Sequence, residues 1–442
     1  MLIRSVAVLA FLVAAALRLR EVDAVMVLAD GMGPYLTATA SPVNLHPHAP
    51  PYGWALYGPY ALALALAGSL RGAVSALALL HALAAPLAAL GAGRLGGIGA
   101  AAVAGALVAV DPGLLDTFTS GAETYLAPVW VGVVSVLALG ARTHPALAWG
   151  VGPAWACAVM NHPLALCTLP LVGLAGTSRR TAGGLVLGLL LLVPTTWGWL
   201  QAGGTGLDDG QPLQALPAWL AQGGPVAGLL AVSGLVGLSK ARTRRLSVMV
   251  LTSAALLGLA GAALGYLRDH HLRLLTVPLA CAVAGFGTRW VWLGVLCLRW
   301  PATHVPPPDK PQRPGTLGLA TELTTALSEL PPPVLVDGAW ASGTPAAEPS
   351  AVLLDLHLRG VPVGPGGSLA VIVSYRRGKE PPWTGPRLRG DRHFVVTQDH
   401  GALAEALCGQ ARLGGAWDGL AVLRPDTTLE EARAWWSGCA SP

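Results

Sequence analysis

The sequence predicts a mainly α-helical protein: a polytopic bundle of about eleven transmembrane helices, followed by a small C-terminal α/β domain. Three observations favour this fold class. Of the 442 residues, 53% are hydrophobic and only 12% are charged, whereas about 25% are charged in an ordinary soluble domain. The mean hydropathy is +0.57. Charge also changes along the chain, with 25 charged side chains in residues 1–300 and 26 in the much shorter segment 301–442.

The predicted spans are apolar runs in the first 300 residues, several of them shorter than the ~20 residues that a bilayer needs. They lie at approximately 1–17, 73–92, 95–110, 125–140, 146–160, 163–176, 181–200, 223–239, 246–266, 272–287 and 288–301. Residues 52–70 are also apolar, but we treat them as an interfacial or re-entrant helix inside a first outer loop at 18–72. With that choice a set of basic residues falls in the cytoplasm, as the positive-inside rule requires: Arg4, Arg94, Arg142, Arg179, Arg180, Lys240, Arg242, Arg244 and Arg245.

This topology describes a multi-pass protein of the inner or plasma membrane with a cytoplasmic N-terminus. The nine acidic residues of the membrane region then share the outer face, and the segment 111–122 is predicted to be an outer loop. The nine are Glu21, Asp23, Asp30, Asp111, Asp116, Glu123, Asp208, Asp209 and Asp269. An acidic, water-exposed outer face is where we expect a site, because ionisable groups beside a membrane interior are usually functional.

The composition changes at Pro301. A proline-rich linker is predicted over 301–333 and a small extracytoplasmic α/β domain over 334–442. Within this domain, short apolar runs predict strands at 334–337, 352–358, 369–375, 394–397 and 420–423. Two periodic runs predict helices at 402–412 and 428–436.

Three stretches of the membrane region carry short motifs in a definite order. Residues 28–60 are polar, proline-rich and aromatic, with Asp30 followed by Tyr35 and then by His-Pro-His-Ala-Pro-Pro-Tyr starting at His46. Residues 110–128 carry a proline and then Glu123 at the start of the next span, and residues 267–285 carry a basic stretch that enters a proline-containing helix. In order and spacing these stretches resemble the GT-C class of membrane glycosyltransferases, which includes protein O-mannosyltransferases and aminoarabinose lipid A transferases. The resemblance covers residues 1–300.

The resemblance implies transfer of a sugar from a polyprenyl-phosphate donor to an extracytoplasmic lipid, glycan or protein acceptor. A carboxylate in the first outer loop would be the general base. On that template Asp30 is the expected catalytic base, with Asp23 as the alternative, and Glu123 is a second expected catalytic residue. The sequence identifies no certain cofactor. A divalent cation, Mg²⁺ or Mn²⁺, stays open, because Gly31 stands where the family usually has a second acid.

The leaving phosphate is anionic and needs cationic or N–H donors. The residues that the resemblance implies for donor-phosphate binding are Arg268, Arg273, His270, His271, His46 and His48. Those that it implies for the substrate cavity are Tyr35 and Tyr52. Asn161 and His162 are added to the cavity because they are polar groups between two apolar halves at the outer border, where a site and a simple helix turn are both open. The expected partners are therefore the lipid-linked donor, the acceptor and membrane lipids. Nucleic acid is not expected, since basic residues in membrane proteins first serve topology.

Two other classes of function stay open. A transporter or lipid flippase would typically show an inverted repeat and polar groups near the membrane midplane; the sequence has no clear internal repeat, and its polar residues cluster at one face. A non-catalytic membrane scaffold remains an alternative, because the second acid is missing at Gly31.

Overall fold

The computed structural model describes residues 2–25, 54–119, 126–201, 212–264, 267, 269–286, 317–328, 332, 334–340, 348–363, 368–375 and 417–423. These residues divide into two compact units. The first unit holds 2–21, 54–59 and 76–286, and the second holds 22–25, 60–75 and the described residues from 317 onward.

The membrane region is built from α-helices and 3-10 segments, of which Pro163–Ala175 is 13 residues long. The α-helices are α1 (Leu2–Arg20), α2 (Trp54–Ala67), α3 (Leu70–Ala82), α4 (Ala84–Ala109), α5 (Pro112–Thr119), α6 (Ala127–Gly140), α7 (Ala148–Asn161), α8 (Arg179–Gln201), α9 (Pro212–Gly237), α10 (Ala241–Leu264), α11 (Asp269–Leu272) and α12 (Thr276–Ala282). The 3-10 segments are Val22–Ala24, Pro145–Leu147, Pro163–Ala175, Arg273–Leu275 and Val283–Gly285.

Within the described ranges, three helical stretches are long and apolar enough to cross a membrane. They are Leu2–Arg20, Leu70–Thr119 and Ala241–Leu264; a fourth is obtained if the bent pair Ala215–Gly224 and Val226–Ser239 is one span. Other apolar helices are shorter, among them Trp54–Ala67 and Ala127–Gly140. The chain is thus an integral membrane protein by helix length and composition. The number of eleven spans stays a prediction, since the last predicted segment, 288–301, lies outside the described residues.

Two long helices bend at glycines. Gly97 in α4 has φ +77° and Gly224 in α9 has φ +52°, a left-handed conformation that glycine adopts without a Cβ penalty. The bend at Gly97 lies close to the break that the sequence predicts between the apolar runs 73–92 and 95–110.

Glycines also bring α7 and α8 into contact. A Cβ added at Gly152 of α7 would collide with the backbone of Gly184, and one added at Gly188 would lie 2.6 Å from the carbonyl carbon of Gly152. Gly184 and Gly188 are four residues apart, so they share one face of α8. This is the small-residue packing that lets membrane helices approach closely in the absence of a hydrophobic driving force.

Two local predictions were wrong. The segment 111–122, predicted as a loop, contains α5, because Asp111 and Pro112 form a helix start: the Asp111 carboxylate accepts from Gly113 N at 2.9 Å, and proline occupies the first helical position. The segment 352–358, predicted as a strand, lies in helix α14 (Glu348–Leu358). Short apolar runs fit a buried helix as well as a strand, so periodicity alone did not separate them.

The second unit contains helix α13 (Leu317–Leu327), helix α14 and a three-stranded sheet. Strand β1 (Val334–Trp340) pairs in parallel with β2 (Ser368–Tyr375), and β2 pairs antiparallel with β3 (Trp417–Leu423). Helix α14 supplies the crossover that parallel neighbours require.

All three strands of this sheet overlap strands predicted from the sequence. Helix α13 lies inside the segment predicted as a linker, because residues 317–327 contain no proline and repeat apolar residues at the helical spacing of Ala320, Leu323 and Leu327. The predicted strand 394–397, the helices 402–412 and 428–436, and with them the complete α/β domain, lie outside the described residues.

Asp355 of α14 connects the parts of this second unit. Its buried carboxylate accepts from Leu70 N at 2.7 Å, at the start of α3, and from Arg359 Nη2 at 2.9 Å. Nearby, Arg71 donates two hydrogen bonds to Asp23, at 2.7 and 3.0 Å, and Leu317 N donates to Val25 O at 2.7 Å. The C-terminal helices are therefore bonded to the segment that follows α1 and to the start of α3.

Candidate functional site

Most of the predicted site residues lie outside the part of the chain that the structure describes. They are Asp30, Tyr35, His46, His48, Tyr52, Glu123 and Arg268. His270 is helical in α11, and its side chain is likewise outside the description. Their roles remain predictions. The structure places the other four, Asn161, His162, His271 and Arg273, in the first unit, and all four are buried.

Arg273 is a fully buried cation in this unit. Its Nη2 lies 3.7 Å from Asp116 Oδ2 on α5 and also donates to Gln222 Oε1 on α9. Asp116 keeps about a third of its side chain exposed, so the arginine meets its carboxylate partner at the rim of the buried cluster. An ion pair at 3.7 Å is looser than the ~2.8 Å of a tight charge-assisted hydrogen bond.

Gly113 makes room for the Arg273 guanidinium. A Cβ added at this glycine would collide with Arg273 Nη1, would lie 2.9 Å from its Cζ, and would lie 3.2 Å from Asp111 Oδ1. The guanidinium and the Asp111 carboxylate therefore border the same α-carbon. A side chain at position 113 would push the arginine off the first turn of α5.

A second buried arginine is Arg18, in the last turn of α1. Its side chain is fully buried and donates from Nε to His81 Nδ1 at 2.8 Å and from Nη1 to Ala14 O at 3.1 Å and Ala109 O at 3.3 Å. Ala109 is the last residue of α4, whose terminal carbonyls have no partner within the helix. Arg18 and Arg273 both act electrostatically on Asp111.

His81 and Phe118 join α3 to α5. Their rings stack with centroids 5.9 Å apart and an interplanar angle of 17°. Because an arginine N–H can only donate, the bond from Arg18 makes His81 Nδ1 an acceptor. The neutral ring then carries its proton on Nε2.

His162 and His271 form a second imidazole pair, with ring centroids 4.7 Å apart. His162 Nδ1 accepts from Leu164 N at 3.2 Å, so His162 also carries its proton on Nε2. The neighbouring Asn161 donates from Nδ2 to Cys157 O at 2.9 Å, and its Oδ1 has no hydrogen-bond partner among the described residues. The structure thus brings His162 and His271 into ring contact, with Asn161 next to His162 and Arg273 two residues after His271 in the chain.

This arrangement suits recognition of an anion. The Arg273 guanidinium is a charged donor, and a buried site with a low local dielectric strengthens each bond to a charged acceptor. It suits a metal ion less well. No three His, Cys, Asp or Glu side chains gather as metal ligands within the described ranges, and Asp111 and Asp116 face guanidiniums instead. We therefore derive no metal-dependent step, and Mg²⁺ or Mn²⁺ stays a prediction for the outer-loop residues.

Sequence reasoning missed Arg18, His81 and Gln222 as site residues and counted Asp111 and Asp116 only as outer-face acids. A signal was present for two of them. His81 stands inside the apolar run 73–92, and Arg18 directly follows the first one; an ionisable residue at membrane depth is a site hypothesis by default. Gln222 carries no such signal, because its role depends on where α9 packs.

No family model and no curated protein matches the chain. A solved structure that matches is the crystal structure of ArnT from Cupriavidus metallidurans in the apo state, with a TM-score of 0.51 and 16% sequence identity. The match covers 63% of this chain and 58% of the ArnT chain, so the chain spans less than two thirds of that structure. At this identity the likeness shows the fold. The GT-C-like architecture predicted from the sequence is confirmed at that level, and membership of a specific family is not shown.

Proposed function

We propose that this chain is a membrane glycosyltransferase of the GT-C type. It moves a sugar from a polyprenyl-phosphate donor to a lipid, glycan or protein acceptor on the extracytoplasmic side of the inner membrane. The observation that carries the proposal is the buried cationic centre around Arg273, in a fold similar to that of ArnT. The fold alone would be analogy, since one fold hosts many functions.

The charge change of the proposed reaction explains why a buried arginine would be useful. In the donor, the phosphate is a diester with one negative charge. As the anomeric C–O bond to phosphate breaks and the C–O bond to the acceptor forms, the phosphate becomes a monoester and gains negative charge. A guanidinium therefore binds the transition state more tightly than the donor, and that difference lowers the barrier.

We assign this phosphate role to Arg273, with His271 beside it and His162 supplying an N–H donor. Asp116 and Gln222 hold the guanidinium while its charge is partly balanced, since an unpaired buried cation would be costly. Arg268, His270, His46 and His48 stay proposed phosphate contacts, and Tyr35, Tyr52 and Asn161 stay proposed cavity residues.

The acceptor must lose a proton as it attacks. Asp111 is poorly placed to accept it, because its carboxylate is buried and already accepts from Gly113 N at the start of α5. We therefore propose Asp30 as the general base and Glu123 as the second catalytic residue, both in segments that the sequence predicts to lie on the outer face.

The test is a donor panel with the purified protein in nanodiscs. Each polyprenyl-phosphate sugar is supplied with a membrane lipid extract, and release of free polyprenyl phosphate is followed by mass spectrometry. We expect turnover with one donor class, loss of at least about 100-fold for Arg273→Gln, an oxyanion-donor effect, and a comparable loss for Asp30→Asn. Arg180→Gln removes an exposed arginine at the start of α8 and should leave the rate unchanged.

The same nanodisc preparation, reconstituted in liposomes, tests the transporter alternative. Labelled polyprenyl phosphate that crosses the bilayer, with no donor cleaved, would replace the transferase proposal by a flippase. Neither cleavage nor crossing across the whole donor panel would overturn the proposal in favour of a scaffold.

A further inference from the structure

We propose that Arg18 is a positioning residue of the site: it locks His81 in the Nε2–H tautomer and fixes the junction between α4 and α5, which holds Arg273. The inference rests on the proposed function for its effect on turnover. Its structural part stands on the contacts of Arg18 alone.

The burial and bonding of Arg18 distinguish it from an ordinary terminal arginine. An arginine near the end of a membrane helix usually extends its head group to the interface, as Arg20 does with 63% of its side chain exposed. Arg18 turns inward instead, with none of its side chain exposed, and bonds to Ala109 O, 91 residues away in sequence. Its Nη2 has no hydrogen-bond partner among the described residues, so it is held there at a cost in desolvation.

The first route of action is through the backbone. The bond to Ala109 O ties the end of α1 to the end of α4, two residues before Asp111. Asp111 starts α5, and α5 carries Gly113 and Asp116, the two positions that contact the Arg273 guanidinium. Displacing Ala109 would therefore move the surface on which Arg273 rests.

The second route is through His81. A histidine whose Nδ1 accepts from Arg18 Nε cannot be doubly protonated while that bond exists. The ring is therefore held neutral, with one orientation, and its face stacks on Phe118 of α5. Without Arg18 the ring could rotate or exchange tautomers, and Phe118 would lose a fixed partner.

The consequence for catalysis is geometric. Stabilising charge on a leaving phosphate requires a donor placed to within a fraction of an ångström. We expect Arg18→Gln to lower kcat at least about tenfold, with KM changed by no more than about threefold, because it misplaces Arg273 in the transition state without removing it. Arg18→Lys keeps the charge but has a single donor nitrogen, which does not reproduce the separate bonds of Nε to His81 and of Nη1 to Ala109 O, so it should not restore kcat.

The first experiment needs no substrate. Protein labelled with ¹⁵N-histidine is studied by solid-state NMR in lipid, and the His81 signals are assigned as those absent from His81→Asn. We expect wild-type His81 to be unprotonated at Nδ1, and Arg18→Gln to produce a mixture of tautomers. Arg20→Gln, on the same helix, should leave the signals unchanged. A His81 protonated at Nδ1 in the wild type, or indifferent to Arg18→Gln, overturns the inference.

The second experiment is a double-mutant cycle on turnover. If Arg18 acts partly through His81, the loss in Arg18→Gln/His81→Asn should be smaller than the product of the two single losses. Multiplicative losses would mean independent structural roles and would also overturn the inference. If no donor is turned over by the wild type, the proposed function fails, while the tautomer measurement still decides whether Arg18 controls His81.

Discussion

Replacing Asp111 tests whether the buried centre is held together by charge. Asp111→Ala removes the cap of α5, a loss of about 1 kcal/mol. It also removes the carboxylate that faces Arg18 and Arg273, both fully buried. Leaving a buried charge without its partner typically destabilises by about 3–5 kcal/mol, and the lower end applies here because Asp116 remains near Arg273. We therefore expect a total of about 4 kcal/mol.

Asp111→Asn separates the two effects. The amide oxygen can still accept from Gly113 N, so the cap persists while the charge is lost, and we expect about 3 kcal/mol. At about 2 °C per kcal/mol for a large domain, Tm in detergent should fall by about 8 °C for Asp111→Ala and about 6 °C for Asp111→Asn. The matched control is Asp23→Asn, whose exposed ion pair with Arg71 contributes at most about 1 kcal/mol.

A charge-balanced variant makes this test sharper. In Arg18→Gln/Asp111→Asn one buried cation is removed together with the anion, so the double variant should lose less Tm than the sum of its two single variants. Asp111→Asn with the Tm of the wild type would refute the reasoning, because the carboxylate charge would then contribute nothing. A double variant whose Tm loss equals the sum of the two single losses would refute it as well.

Three further predictions follow from close contacts. Gly113→Ala should lower turnover at least about tenfold and lower Tm, because the added Cβ meets the Arg273 guanidinium. The control is Gly228→Ala, where nothing lies within 4 Å of an added Cβ. Equal turnover and equal Tm of the two variants would contradict the placement of Arg273. Gly188→Leu should disrupt the α7–α8 packing and reduce the yield of folded protein in size-exclusion chromatography, whereas Gly228→Leu should be tolerated. A monodisperse Gly188→Leu protein would count against the close approach of α7 and α8 at Gly152 and Gly188. Asp355→Ala leaves the Leu70 N–H without its acceptor and should cost about 1–3 kcal/mol, measured as faster limited proteolysis after α14. The control is His357→Ala, an exposed position on the same helix, which should behave as the wild type, and equal proteolysis of the two variants would contradict the role of Asp355.

Much of the fold followed from composition and order along the chain. Hydropathy predicted a helical membrane region, and short motifs near residues 30, 112 and 270 predicted its GT-C-like architecture. Local secondary structure was harder to predict from the sequence. The Asp111-Pro112 helix start was present in the sequence and was assigned to a loop, because acids after an apolar run were attributed to the outer face. The run 352–358 was assigned to a strand, since a buried helix and a buried strand are equally apolar.

For the candidate site, the sequence predicted individual residues but not how they are arranged in space. Arg273, His271, His162 and Asn161 were named from sequence, because each is polar beside an apolar run. Their grouping was not predictable, since it depends on how α7, α9 and α11 pack.

By itself the sequence determined that the chain enters a membrane, because only an apolar solvent accommodates a chain with so few charges. It also determined where polar groups interrupt the apolar runs. The tertiary structure decided which of these groups meet. Arg18 lies on α1, His81 on α3 and Asp111 between α4 and α5, up to 93 residues apart, and they form one centre because helix packing brings the ends of α1, α3 and α4 together. Such contacts depend on the crossing of helices, which local periodicity does not encode.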